Sequence, residues 1–183
     1  YVRAGPFTLN PSVINFSGQF CDSVTISQSV NRAFWEAMIR HVTIVVSAGN
    51  IVPGTCYSGP GVAYPALLAE GEHRIIAPGA GGVPVAFLRY FVNTIAVGSV
   101  DRDNTIAVDS KRGPEITVVA PGVGIYATYR GGIYQYLSGA SMAAPHASGL
   151  FALVRSLPDV KYPQQALDRV LNSMRRPNYY PIV

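Results

Sequence analysis

At 183 residues, 49% hydrophobic and 13% charged, with 18 Gly and 14 Pro, the chain has the length of one domain. It is too apolar for disorder and too often punctuated for a fibre. Its formal net charge of +4 comes from scattered Lys and Arg, apart from Lys111-Arg112 and Arg175-Arg176, which argues against the clustered basic face of a nucleic-acid-binding protein. No apolar run approaches the roughly 18 residues of a membrane span, so a soluble protein with no membrane partner is expected.

In chain order, Tyr1 opens the sequence with neither Met nor a charged-then-apolar leader, and the chain reads as a processed or truncated piece with any export signal upstream. Ser12 to Ser17 (SVINFS), behind Pro11, suits a buried strand. Val30, Ala33, Phe34, Ala37 and Met38 recur with helical spacing between Ser27 and His41, and Val42 to Val46 (VTIVV) follows as a continuous apolar strand ending in Ser47-Ala48-Gly49-Asn50. Strand, helix and strand together make a βαβ unit. The Gly- and Pro-rich stretch 51–93, with weak periodicity around Ile75 and Val85, is expected as an irregular surface segment, and a loop so long is often functional. Ile95 to Val100 and Ile116 to Val119 extend the continuous apolar pattern, which marks strands buried on both faces of a parallel sheet. Ile133 to Leu137 alternates and reads as an edge hairpin strand. Two helices close the chain, one from Ser141 to Arg155 and one behind Pro163, whose stripe is Ala166, Val170, Leu171 and Met174. The two cysteines, Cys21 and Cys56, make neither a disulfide framework nor a zinc site, and leave one disulfide and two free thiols both open.

Chemistry concentrates in Ser138-Gly139-Ala140-Ser141-Met142-Ala143-Ala144-Pro145-His146. A strand ends, small residues turn, and Ser141 falls in the first turn of a helix, where unpaired N–H groups and the helix dipole favour developing negative charge. By position alone such a serine is more often a helix cap than a nucleophile. The string Ser-Gly-x-Ser-Met-Ala-x-Pro-His, however, resembles the serine motif of the subtilases, and other segments resemble the same family in the same order. These are Val13-Ile14-Asn15-Phe16-Ser17, Val45-Val46-Ser47-Ala48-Gly49-Asn50, Thr94 to Asp101 and Val119-Ala120-Pro121-Gly122-Val123.

The resemblance implies a three-layer α/β fold, a mostly parallel sheet with helices on both faces, incomplete at its N-terminal side. It implies Ser141 as nucleophile and Asn50 as side-chain donor to the oxyanion, with the Ser141 N–H as second donor. It implies a peptide or protein substrate paired with the backbone at Ser17, Gly18 and Gln19, and a specificity pocket walled by Ser47, Ala48 and Gly49. Secretion follows from the same resemblance. Calcium is common in the family, but no Asp-rich loop of ligand spacing is present, and no metal or other cofactor is expected.

The pattern departs from the family in several places. Neither the Asp-Ser/Thr-Gly nor the His-Gly-Thr-His segment that supplies the triad acid and base is present; Asp22-Ser23 lies after the substrate-lining strand and lacks the glycine. Of the three histidines, His146 lies about 140° around the helix from Ser141 and is expected to be buried and hydrogen-bonded. His73 falls in the irregular stretch, and His41 ends a helix, where a cation is favourable. Ala140 stands where the family usually has Thr, and Ser17-Gly18-Gln19 where it commonly has Ser-Leu-Gly. An α/β-hydrolase is excluded because its acid and histidine follow the serine in that order, whereas His146 precedes Asp159 and Asp168. The chain thus reads as a single domain, 1–183, forming the C-terminal part of a subtilisin-like serine endopeptidase. Residues 51–93 read as an irregular insertion, and the upstream part of the same domain as the partner that holds the acid and base. The rival is a catalytically inactive, subtilase-like pseudoenzyme or protein-binding module.

Overall fold

The computed structural model describes residues 12–20, 24–69, 73–78, 84–89 and 93–174; Pro11, Cys21, Asp22-Ser23 and Arg175-Arg176 lie outside the described residues. The elements run β1 (Val13–Phe16), α1 (Val24–Ile39), β2 (Thr43–Ser47), a 3-10 turn (Ala66–Ala69), β3 (His73–Pro78), β4 (Pro84–Arg89), β5 (Thr94–Val100), β6 (Ile116–Pro121), β7 (Ile125–Tyr129), β8 (Ile133–Leu137), α2 (Ala140–Arg155) and α3 (Pro163–Ser173).

The two most continuously apolar strands lie at the centre. β2 and β5 are buried along their whole length and pair in parallel, Ile44 to Ser47 opposite Thr94 to Val97, with β1 outside β2 and β6 outside β5. Because successive side chains point to opposite faces, Ile44, Val46 and Ala96 pack with Phe34 and Ala37 of α1 on one side. Val45, Ile95 and Val97 pack with Ala143, Ala144, Ala147 and Phe151 of α2 and Ala166 and Val170 of α3 on the other. Helices therefore cover both faces of a parallel sheet, the three-layer α/β arrangement expected from the sequence.

Several boundaries and faces differ from expectation. β1 is the edge of its sheet, with Ile14 41% exposed rather than buried, because β2 is the one strand it pairs with among the described residues. In α1, Ala33 is exposed and Trp35 packs against the core beside Phe34. In α3, Leu171 and Met174 are exposed, and the buried stripe is Pro163, Ala166 and Val170.

The stretch 51–93, expected as irregular, carries the antiparallel pair β3–β4, with Ile75 opposite Phe87 and Ala77 opposite Val85. It also sends Val62, Ala63, Tyr64 and Ala66 into the core. Its backbone is held by the sheet: Ala63 N–H donates to Ala48 O (2.9 Å) and Arg112 N–H to Pro60 O (2.7 Å). Ile133 to Leu137 does form a hairpin strand, β8, and its partner is β7.

Lys111 is buried at 4% exposure. Its backbone N–H donates to Gly49 O (3.1 Å) and its Nζ to Gly59 O (2.6 Å), so it ties the end of β2 to the loop before Gly61. Burial holds its ammonium pKa below the ordinary lysine value. At the far end of α2, Arg155 donates to His41 O (3.0 Å) and fastens that helix to the corner between α1 and β2.

Two stability outcomes follow. Phe151→Ala, which empties a fully buried site between α2 and the sheet, is expected to cost about 3–5 kcal/mol in urea-induced unfolding. The lowered Lys111 pKa means that the folded chain binds this proton less readily than the unfolded chain, so this group's contribution to stability rises with pH until the unfolded value, 10.5, is passed. Lys111→Met is therefore expected to gain most relative to wild type near neutral pH. The stability of Lys111→Met relative to wild type should fall as pH rises toward 10.5, on top of a pH-independent offset from the lost bond to Gly59 O, read from unfolding midpoints across pH.

Candidate active site

Three chain ends meet where β1 and β2 leave the sheet and α2 begins, the edge of a parallel sheet where crevices form. β1 runs out into Ser17-Gly18-Gln19, β2 into Ala48-Gly49-Asn50, and β8 into Ser138-Gly139 ahead of α2. The turn into α2 depends on glycine. Gly139 has φ 142° and ψ 167°, a conformation essentially closed to other residues, and a Cβ there would stand 2.6 Å from Asn50 Nδ2. Gly139 N–H donates to Gly122 O (2.7 Å), which fixes the turn to the end of β6.

With the backbone so placed, the first N–H of α2 is aimed at the end of β2. Ala140 N–H donates to Asn50 Oδ1 at 2.8 Å. That bond engages the acceptor of the Asn50 amide and leaves Nδ2, the donor, on the side of Gly139, two residues before Ser141. The backbone N–H of Asn50 donates to Gln19 Oε1 at 2.7 Å, and Gly49 precedes it at φ 96°, which again favours glycine.

Ser141 is half-buried, and its hydroxyl donates to Ser17 O at 3.0 Å. Ser47 Oγ donates to Gly18 O at 3.1 Å, so the two runs 17–19 and 47–50 are stitched across their gap at both ends. Ser17, Gly18, Gln19, Ser47, Gly49, Asn50 and Ser141 thus come together. Ala48 does not join them, because its side chain is fully buried in the core and its backbone is engaged by Val97 and Ala63.

The histidines stand apart. His146 is exposed rather than buried, since Ala143, Ala144 and Ala147 take the sheet-facing side of α2; its Nδ1 lies 2.9 Å from Met142 O. His41, at φ 57°, meets the Tyr162 ring edge-on with centroids 4.9 Å apart. His73 opens β3 opposite Arg89. Among the described residues, the hydrogen-bond partner of Ser141 Oγ is a backbone carbonyl, not a base.

Some participants were not visible in the sequence. The Ala140 N–H that clamps Asn50 is a backbone group, and Tyr57, whose hydroxyl donates to Gln19 O at 3.3 Å, lies in the stretch expected to be irregular. Both pairs join residues far apart in the chain, and no local pattern announces them. Cys56, next to Tyr57, is disulfide-bonded, and the chain's other cysteine is Cys21. Among the described residues no group of three or more His, Cys, Asp or Glu side chains is placed to hold a metal ion, and no helix is long and apolar enough to cross a membrane.

Comparison with known proteins accounts for this arrangement. The family model described as the Subtilase family matches residues 10–178. Subtilisin DY of Bacillus licheniformis is 32% identical over 163 residues, covering 88% of this chain and 47% of that protein. M-protease of Shouchella clausii (strain KSM-K16) and subtilisin Savinase of Lederbergia lenta are each 35% identical over 144 residues, 78% of this chain, and 29% and 41% of those proteins. The chain therefore spans less than half the length of these relatives.

Among solved structures, a cold-adapted subtilisin-like serine proteinase aligns with a TM-score of 0.60 at 23% identity, over 86% of this chain and 46% of that one. The prenylagaramide maturation protease PagA aligns with a TM-score of 0.65 at 21% identity, over 91% and 52%. At those identities the likeness speaks for the fold, which is subtilisin-like and incomplete. Sequence motifs, fold and family model agree, and the chain belongs to the subtilase family.

Proposed function

We propose that the chain is the serine-bearing part of a subtilisin-type endopeptidase domain that hydrolyses peptide bonds through an acyl-enzyme on Ser141, with the triad Asp and His on upstream sequence. The observation that carries this reading is the Asn50 amide, whose Oδ1 is held by Ala140 N–H at 2.8 Å, which leaves its Nδ2 on the Gly139 side, free to donate. In this reading the Ser141 hydroxyl gives up Ser17 O for the upstream histidine, which takes its proton as Oγ attacks the peptide carbonyl. Asn50 Nδ2 and the Ser141 N–H receive the oxyanion. The histidine then protonates the leaving amine, and water repeats the sequence on the ester. Peptide substrate lies along Ser17 to Gln19 as an added strand, with Ser47 and Gly49 across the gap.

Two surfaces support an upstream half that packs on this one. β1 has an outer edge unpaired among the described residues, and α2 exposes Leu150 and Leu153, the latter at 71%. Residues 1–183 with such a half make one catalytic domain. The disulfide at Cys56 favours an oxidising compartment and hence secretion. A catalytically inactive binding module is the second reading, favoured by the backbone acceptor now on Ser141 Oγ and by Ala140 in place of the family's Thr.

A fluorophosphonate probe separates the two. Labelling of Ser141 is expected when the upstream half is present and not in the chain alone, with Ser141→Ala unlabelled in both. No labelling in either form sinks the protease reading. Given activity, Asn50→Ala is expected to lower kcat about 10²–10³-fold with a small change in KM, measured by steady-state peptide hydrolysis.

A further inference from the structure

The crevice between the two runs 17–19 and 47–50 is not open. Gln19 leaves the first run, and its side chain crosses to the second. There Oε1 accepts the Asn50 N–H at 2.7 Å and lies so close to Gly49 that a Cβ on that glycine would collide with it. From the other side, Ala63 Cβ and Lys111 Cδ close on the same point, 2.8 and 3.0 Å from where that Cβ would stand. Gln19 is itself held at its backbone, with Tyr57 OH donating to its carbonyl at 3.3 Å. The gap is stitched again by Ser47 Oγ on Gly18 O.

A side chain that accepts a backbone N–H, on a residue whose own carbonyl accepts a tyrosine hydroxyl, is not a freely rotating surface glutamine. Withdrawing it would leave the Asn50 N–H without its acceptor, a loss on the order of 1–3 kcal/mol for a group shielded from water. That cost falls on any substrate whose side chain needs the space.

We propose that Gln19 is a specificity-determining plug that restricts the residue on the acyl side of the scissile bond to glycine or alanine. The proposal rests on the endopeptidase reading above and names the substrate class of that same site. A peptide lying along Ser17 to Gln19, with its carbonyl carbon near Ser141 Oγ, directs its adjacent side chain into the gap facing Ser47 and Gly49. Gln19 already fills that gap. Hydrogen and methyl side chains fit above the glutamine amide; leucine and phenylalanine require it to leave. Pockets discriminate by roughly 10–200-fold for differences of a methylene or so when shape alone decides, so the larger step from alanine to phenylalanine should be plainly measurable.

The test uses the full-length protein and two peptidyl phosphonates that differ only in alanine or phenylalanine next to phosphorus, with a small fluorophosphonate as the measure of serine reactivity. Wild type is expected to react at least tenfold faster with the alanine probe. Gln19→Gly is expected to cut that preference at least tenfold, and Gln19→Ser, which opens the same space with less backbone freedom, to do likewise. The preference is read as the ratio of the two phosphonate rates within each protein, so a change in serine reactivity common to both probes cancels, and labelling by the fluorophosphonate reports only that Ser141 is folded and reactive. If wild type reacts equally well with both phosphonates, or if both variants label with the fluorophosphonate and keep the wild-type ratio, the plug is overturned and the endopeptidase reading stands. If the fluorophosphonate labels none of the three proteins, the endopeptidase reading fails and the plug fails with it.

Discussion

The site depends on a single hydrogen bond between the end of a strand and the start of a helix, Ala140 N–H to Asn50 Oδ1. The first N–H groups of any helix lack intrahelical partners and must be satisfied from outside. Here one of them is satisfied by an amide whose other end is then left with a donor to offer. The bond also sets the position of Ser141, because rotating α2 about its axis to move the serine would break it. Gly139 makes the approach feasible, since any side chain there would strike Asn50. Capping of the helix and orientation of the Asn50 amide are in this way the same contact, and Ser141 needs no capping role of its own.

Behind that contact, the sheet provides stiffness. Asn50 follows a strand buried on both faces, and α2 packs its alanines and Phe151 directly on β2, β5 and β6. Small residues on α2 let the helix lie close to the sheet, so the distance between strand end and helix start is fixed by close packing on one side and by the Gly122 to Gly139 bond on the other. The loop before Gly61 contributes from above the sheet, through Lys111, Arg112 and Tyr57. A buried lysine that donates to a carbonyl, not to a carboxylate, is a costly clamp, consistent with the lowering of its pKa by burial.

What was legible in the sequence was what local periodicity and contiguous motifs encode. The apolar runs of β2 and β5 read as central strands because burial on both faces removes alternation, and the Val30, Phe34, Ala37 spacing read as a helix face. The string around Ser141 and the Ser47 to Asn50 run located the ends that meet. What could not be read depends on distant partners. By sequence Gln19 reads as a backbone contact, yet its side chain is engaged because Asn50 lies across from it. His146 was expected to be buried, and only the packing direction of α2 shows that Ala143 and Ala147 occupy the covered side. β3 and β4 were missed because short strands flanked by glycines carry little periodicity of their own.

The balance between an endopeptidase and a binding module turns on strain as well as on missing groups. Gly139 is held at φ 142° and Gly49 at φ 96°, conformations that are costly for any residue with a side chain. Those two conformations have one joint result: the Asn50 amide is brought against the start of α2 with its Oδ1 on Ala140 N–H and its Nδ2 on the Gly139 side. Charge that develops on an oxygen attacked by Ser141 would meet a donor already in place, which costs no reorganisation at the moment of reaction. The proton has no comparable provision among the described residues, where Ser141 Oγ rests on Ser17 O. On the endopeptidase reading proposed above, the two halves of the chemistry are separable in space, with electrostatic stabilisation in this part of the domain and proton transfer in an upstream part that would pack on β1 and α2.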